Sequence, residues 1–247
     1  MKSIKARFVL FMAIAAVAPL LAYGVISVRS LSTSTRQSVR DGNLNVATRA
    51  AEQVAQYIDN NTKVLRALAA DLRETRQAPW QQDRILKNYA LDFPELREIA
   101  VYGPDGRVEA TSALGGTRLP PPDATLIGSR DTWLSPVTID DDFLPTTRMY
   151  VRMRSADPAR GGWLVGELSL EELWRLVDRI RVGEQGFAVL ATQEGRLIAH
   201  GNPDEKRRVA IGGGTYAAQT LIDEARTGDT SSTEYRNAAG VDMLGVV

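Results

Sequence analysis

The chain has 247 residues with 30 basic and 30 acidic side chains, a formal net charge of zero, and no basic stripe interleaved with aromatics, so nucleic acid is excluded as an expected partner. It has no cysteine, which removes disulfides, thiolate metal sites and a cysteine nucleophile together. Mean hydropathy is −0.19, so beyond one apolar stretch the chain reads as soluble sequence, enough for one large or two small domains.

That stretch comes first. No charge falls between Phe8 and Val28, a run long enough to cross the hydrocarbon core as a helix. It is longer than the core of a cleavable signal, and the small-residue triplet Ala22-Tyr23-Gly24 lies inside it, so an uncleaved anchor over residues 8–28 is expected. Pro19 is tolerable in such a span when neighbouring groups cover the freed carbonyl. Lys2, Lys5 and Arg7 hold residues 1–7 in the cytoplasm, which puts everything after residue 28 on the periplasmic side of an inner membrane, although Arg29, Arg36 and Arg40 weaken the bias.

Leu44, Ala47, Ala51, Val54, Ile58, Leu65, Leu68 and Leu72 then recur at steps of three and four, with Asn61 at the one polar position. This stripe predicts a stalk helix over residues 29–77 with a narrow apolar seam, covered either by the chain's own β modules or by a second copy in a homodimer. Ala78-Pro79 ends it, and residues 80–90 predict a short second helix. Val101-Tyr-Gly-Pro-Asp-Gly-Arg-Val-Glu-Ala-Thr111 follows, and it returns loosened as Leu190-Ala-Thr-Gln-Glu-Gly-Arg-Leu-Ile-Ala-His200. Each copy reads as a hairpin, apolar strand, acidic-Gly turn, apolar strand, so two similar modules in tandem are expected, at 78–182 and 183–247.

Within the first module, residues 112–128 read as a loop and 133–139, 149–153 and 162–168 as strands. The second of these strands alternates Arg148, Tyr150, Arg152 and Arg154 with Met149, Val151 and Met153, giving one cationic and one apolar face. Ser169-Leu-Glu-Glu172 has capping-box spacing and opens a connecting helix that Gly183 stops. In the second module a helix is expected near residues 216–226 and a strand at 231–235. Residues 243–247 begin a further strand, so the sequence reads as a piece of a longer chain. The class is α+β.

No catalytic residue, metal or cofactor is expected. His200 sits beside a Gly201-Asn-Pro-Asp204 turn with no nucleophile elbow in the chain, which favours a structural or ligand-lining role over a hydrolase base. Asp140-Asp141-Asp142 lacks the spaced ligands of a calcium loop, and Gly212-Gly213-Gly214 lacks the Lys-Ser/Thr of a phosphate loop. A more specific set is Arg130, Trp133, Tyr150, Arg152 and Glu167, which strand reading puts on one face of the first module: guanidinium for carboxylate, indole as a flat wall, glutamate for an ammonium group. The expected ligand is a carboxylate, an amine or an amino-acid-like zwitterion; alternatively Trp133 is core and the arginines are a solvated sheet face.

The order of these segments, from the anchor and long helix through the strand-turn-strand 101–111, Arg130 to Trp133 and Gly166-Glu-Leu-Ser-Leu170 to Gly195-Arg-Leu-Ile-Ala-His200, resembles the double Cache family of extracytoplasmic sensor domains. The resemblance implies two PAS-like modules with antiparallel sheets on a long stalk, a ligand in the membrane-distal module, and a receptor output, with a sensor histidine kinase favoured over a chemoreceptor or a cyclic-dinucleotide enzyme. Amino-acid-binding members carry Arg-x-Trp-Tyr and a later aspartate; here Trp133 stands one place late with Leu134 after it, and Glu167 replaces the aspartate. A non-signalling envelope scaffold is the remaining alternative.

Overall fold

The computed structural model describes residues 4–74, 78–140, 142–154, 161–180, 182–183, 186–211, 214–216, 219–228, 230–236, 240 and 242–247, with the side chains of 4–11, 13–16, 18, 74, 124 and 242 outside the description. A single helix, α1 (Ile4–Glu74), carries both the apolar stretch and the stalk. Among the described residues no helix is long and apolar enough to cross a membrane, and most side chains of the expected span lie outside them. Asp141 and Gly212-Gly213 also lie outside the described residues.

The seam of α1 is covered by its own chain from Val54 onward. Leu65 and Leu68 are fully buried and Leu72 nearly so, in a core that Val54 and Ile58 join. Each fully buried leucine contributes about 1.5–3 kcal/mol. Asn61, the polar member, is also buried and satisfies its amide by donating from Nδ2 to the Tyr57 carbonyl at 2.9 Å. Below that point the seam opens: Leu44 and Ala47 are half-buried and Ala51 is exposed.

The covering surface is a six-stranded antiparallel sheet of order β2-β1-β6-β5-β3, with β4 also on β5. Its strands are β1 (Leu96–Tyr102), β2 (Val108–Thr111), β3 (Thr132–Leu134), β4 (Thr138–Ile139), β5 (Pro145–Met153) and β6 (Gly162–Ser169). Successive side chains of a strand alternate between faces. Ile99, Val101, Met149, Val151, Leu164 and Leu168 therefore meet α1 and the short helix α2 (Pro79–Asp92). Gly166 is where the helix comes nearest, since a Cβ there would stand 2.8 Å from Leu65 Cδ1. The expected strand over 133–139 is two strands, because Pro136 has no N–H for the ladder, while Ser135 still donates to Arg148 O at 2.8 Å. Within the expected loop, a single helical turn, α3 (Ala124–Ile127), forms.

The connecting helix α4 (Glu171–Arg179) starts later than its capping-box spacing predicts. Ser169 is held in the sheet by its N–H bond to Glu95 O at 2.8 Å, so Leu170 occupies the cap position. Beyond it lie two separate two-stranded sheets, β7 (Val189–Ala191) with β8 (Leu197–His200) and β9 (Ser232–Arg236) with β10 (Asp242–Val246). Between them run α5 (Pro203–Ala210) and α6 (Gln219–Thr227). The two hairpins are geometrically alike. In the first, Gly103 N–H meets Arg107 O at 2.9 Å and Gly106 N–H meets Gly103 O at 3.0 Å; in the second, Thr192 N–H meets Arg196 O and Gly195 N–H meets Thr192 O, both at 2.8 Å. Gly106 and Gly195 share positive φ, 75° and 81°, and each ladder shifts register before its turn, after Val101 and after Leu190.

Candidate functional site

The face of the sheet turned away from α1 carries the chemistry. Its middle is filled by an apolar and aromatic cluster: Tyr102, Tyr150 and Val165 on adjacent strands, with Leu119 and Ile127 above them and Trp133 and Trp163 against the cluster. Trp133 lies opposite Tyr150 in register, ring centroids 5.2 Å apart. Burial pushes the Tyr150 phenol above its ordinary value, with the Arg148 guanidinium opposing. Tyr102 donates its hydroxyl to the Leu119 carbonyl and so ties the 112–119 loop down over the sheet.

On one side of this cluster is a cavity of about 490 Å³. Its floor is one row of the sheet: Glu98 on β1 is paired in register with Glu167 on β6, which is paired with Arg148 on β5. Thr138, Thr146, Asp140 and Asp142 form one wall, and Ala113, Leu114, Arg118 and Leu119 the other. Glu167 Oε1 lies 4.0 Å from Arg148 Nε, too long for a hydrogen bond, and that Nε is buried without a partner. Burial raises the Glu167 pKa above its ordinary value, and the nearby Arg148, Arg97 and Arg118 only partly offset it. A volume of this size suits a small organic ligand, and a buried guanidinium Nε beside a carboxyl suits a polar one.

Arg97 enters the cavity through a bulge. β1 shifts register between Leu96 and Glu98, so residues 97 and 98 both stand opposite Glu167 instead of alternating. The Arg97 guanidinium pairs with Asp140 and Asp142 at the β4–β5 turn. Asp140 in turn accepts from Asp142 N–H and Leu144 N–H, both at 2.9 Å. Asp140 and Asp142 therefore belong to a hydrogen-bonded turn at one end of the cavity. Among the described residues no cluster of histidine and carboxylates could hold a metal ion.

The five residues singled out from the sequence are not brought together. Glu167 lines the cavity; Trp133 and Tyr150 pack on each other in the cluster beside it. Arg152 lies beyond, its guanidinium 4.3 Å from the Trp163 ring centroid and donating to Gly128 O at 2.9 Å, in an open recess of about 520 Å³ shared with Ser129 and Arg154. Arg130 is exposed and its side chain makes no hydrogen bond among the described residues. The residues missed are Glu98, Arg97, Arg118 and Arg148. The alternation of β5 already put Arg148 on this face, whereas nothing local marks the bulge that turns Arg97 inward.

His200 is buried against its neighbours. It is 5% exposed, its ring centroid is 4.7 Å from that of Phe187, and its Nδ1 accepts the Asn202 N–H at 3.0 Å. Burial lowers its pKa below the ordinary value, against the pull of Glu205.

Solved receptor domains share this arrangement of a long helix against an antiparallel sheet, and the chain has their fold. It superposes with a TM-score of 0.66 on an extracellular domain assigned to a histidine kinase, at 16% identity over 83% of this chain and 90% of that one. With the sensory domain of a Campylobacter jejuni chemoreceptor the TM-score is 0.64, at 15% identity over 86% and 89%. With the ligand-binding domain of the Pseudomonas aeruginosa amino acid chemoreceptor PctC, solved with GABA, it is 0.62, at 14% identity over 80% and 86%. No protein-family model matches the chain, and no curated protein matches it in sequence.

Proposed function

We propose that this chain is the extracytoplasmic sensing region of a bacterial transmembrane receptor, and that its ligand is a small carboxylate, amine or amino-acid-like zwitterion held in the cavity over Glu98, Glu167 and Arg148. The observation that carries the reading is the buried Arg148 Nε without a partner, facing a raised-pKa carboxyl across 4.0 Å in a cavity of ligand size. An unsatisfied buried donor costs about 1–3 kcal/mol, and a ligand oxygen would recover it. The structures with GABA and with isoleucine bound, in chemoreceptors of the same fold, support the ligand class.

In this reading residues 8–28 span the inner membrane, 29–77 form the stalk, 78–182 are the membrane-distal receptor module and 183–247 the proximal one. The family resemblance favours a histidine kinase as output, and an autophosphorylation assay of the full-length receptor tests that directly. A homodimer would form through the lower stalk, where Leu31, Val39 and Val46 are exposed and the seam is not covered by the sheet. Calorimetric titration of the 247-residue chain with a panel of amino acids, organic acids and amines is expected to find a binder whose affinity falls at least about tenfold in Arg148→Ala, the loss of one charge-assisted hydrogen bond. Silence across the whole panel would remove the ligand-sensor reading.

A further inference from the structure

We propose that residues 113–119 form a strap that gates the cavity, and that Glu98 is the latch holding it shut. This rests on the reading of the cavity as the ligand site. The strap supplies one wall through Ala113, Leu114, Gly116, Arg118 and Leu119. It is fixed at its start, where Ser112 N–H donates to Ile99 O at 2.8 Å and Ser112 Oγ accepts the Ile99 N–H at 2.9 Å. Its middle is unpacked. Leu114 is 91% exposed, Gly115 and Gly116 have positive φ, 89° and 109°, and a Cβ at either glycine would meet nothing within 4 Å.

The far end of the strap is held down from β1. Side chains alternate along a strand, so Glu98, Ala100 and Tyr102 share its outer face. Glu98 Oε1 accepts the Thr117 hydroxyl and the Arg118 N–H, the latter at 3.1 Å, while the Tyr102 hydroxyl donates to the Leu119 carbonyl. Glu98 is buried, and a carboxylate acceptor makes such bonds roughly twice as strong as a neutral one would. Leu119 then closes over the aromatic cluster.

The opposite wall is fixed. The β1 bulge turns Arg97 to Asp140 and Asp142, and that turn carries backbone bonds of its own, Asp140 N–H to Leu144 O at 3.0 Å and Phe143 N–H to Asp140 O at 3.1 Å. The strap hangs instead on two side chains of β1. It therefore opens at a free energy well below that of unfolding, and its opening sets how fast a ligand enters and leaves.

The test exploits the absence of cysteine from the chain. Ala100 is fully buried in the cluster under Leu119, and Ala69 is buried in the inner core between α1 and the sheet. Ala100→Cys and Ala69→Cys are made separately in the 247-residue chain, and each thiol is reacted with methyl methanethiosulfonate. Ala100→Cys is expected to react faster, at a rate that low urea barely changes, because lifting a strap exposes little surface; Ala69→Cys reacts through unfolding and accelerates with urea. Adding Glu98→Ala should speed the first reaction about tenfold or more, through the loss of bonds to a charged acceptor, and leave the second unchanged. Thr117→Val removes one of those donors at a half-buried position; it should act in the same direction, and it decides the matter if Glu98→Ala lowers the unfolding midpoint. If the two thiols react alike with one urea dependence, if Ala100→Cys reacts as fast as a free thiol from the outset, or if neither substitution accelerates it, the gate is wrong. No ligand enters these measurements, so the sensor reading stands or falls separately, on the calorimetric panel.

Discussion

At the scale of single residues, what matters on the outer sheet face is which polar groups have partners and which do not. Arg97 and Asp140 satisfy each other and hold a turn; Arg148 and Glu167 nearly do, with 4.0 Å left between them. His200 illustrates the opposite case, a polar residue fully absorbed into structure. Its folded pKa lies below the ordinary 6.5, so between the two values the unfolded chain binds more protons than the native one. Stability is therefore complete above about 6.5 and falls as pH drops below it. Chemical denaturation across pH 5 to 7 should show this slope in the parent and a shallower one in His200→Asn; equal slopes would mean that His200 does not titrate with unfolding.

At the scale of elements, local chemistry explains most starts and stops. Asn202-Pro-Asp-Glu205 opens α5 with a capping side chain, Asn202 Oδ1 accepting Asp204 N–H at 3.0 Å, a proline in the first turn, and acids at its positive end. The sequence alone suggested only an Asx turn there, since the helix after it has a single buried residue, Val209, and hence no visible periodicity. Asn202→Ala should cost about 1 kcal/mol and speed amide exchange in residues 203–210 ahead of the rest. The hairpins were legible for a firmer reason: an acidic-Gly turn needs positive φ at its glycine, and both glycines have it. Ser169 shows the limit of such reading, because its capping spacing is present but a sheet hydrogen bond has already claimed its backbone.

At the scale of the whole molecule, the stalk is part of the first module's core as well as a connection to whatever lies at its base. Leu65, Leu68 and Leu72 serve the sheet of their own chain, so the upper part of the seam is covered from within. Leu68→Ala should therefore lower unfolding stability by about 2–5 kcal/mol without changing self-association measured by sedimentation, whereas a loss of dimer at unchanged stability would place that leucine in an interface between copies. Periodicity, turn glycines and strand alternation are short-range patterns, so the sequence by itself determined the long helix, the repeated hairpin, the α+β class and the two-faced β5. It could not decide the row Glu98–Glu167–Arg148, the inward turn of Arg97, or the aromatic cluster that separates Arg152 from Glu167. Those depend on register between strands distant in the chain, and a shift of one residue would carry each of these side chains to the other face.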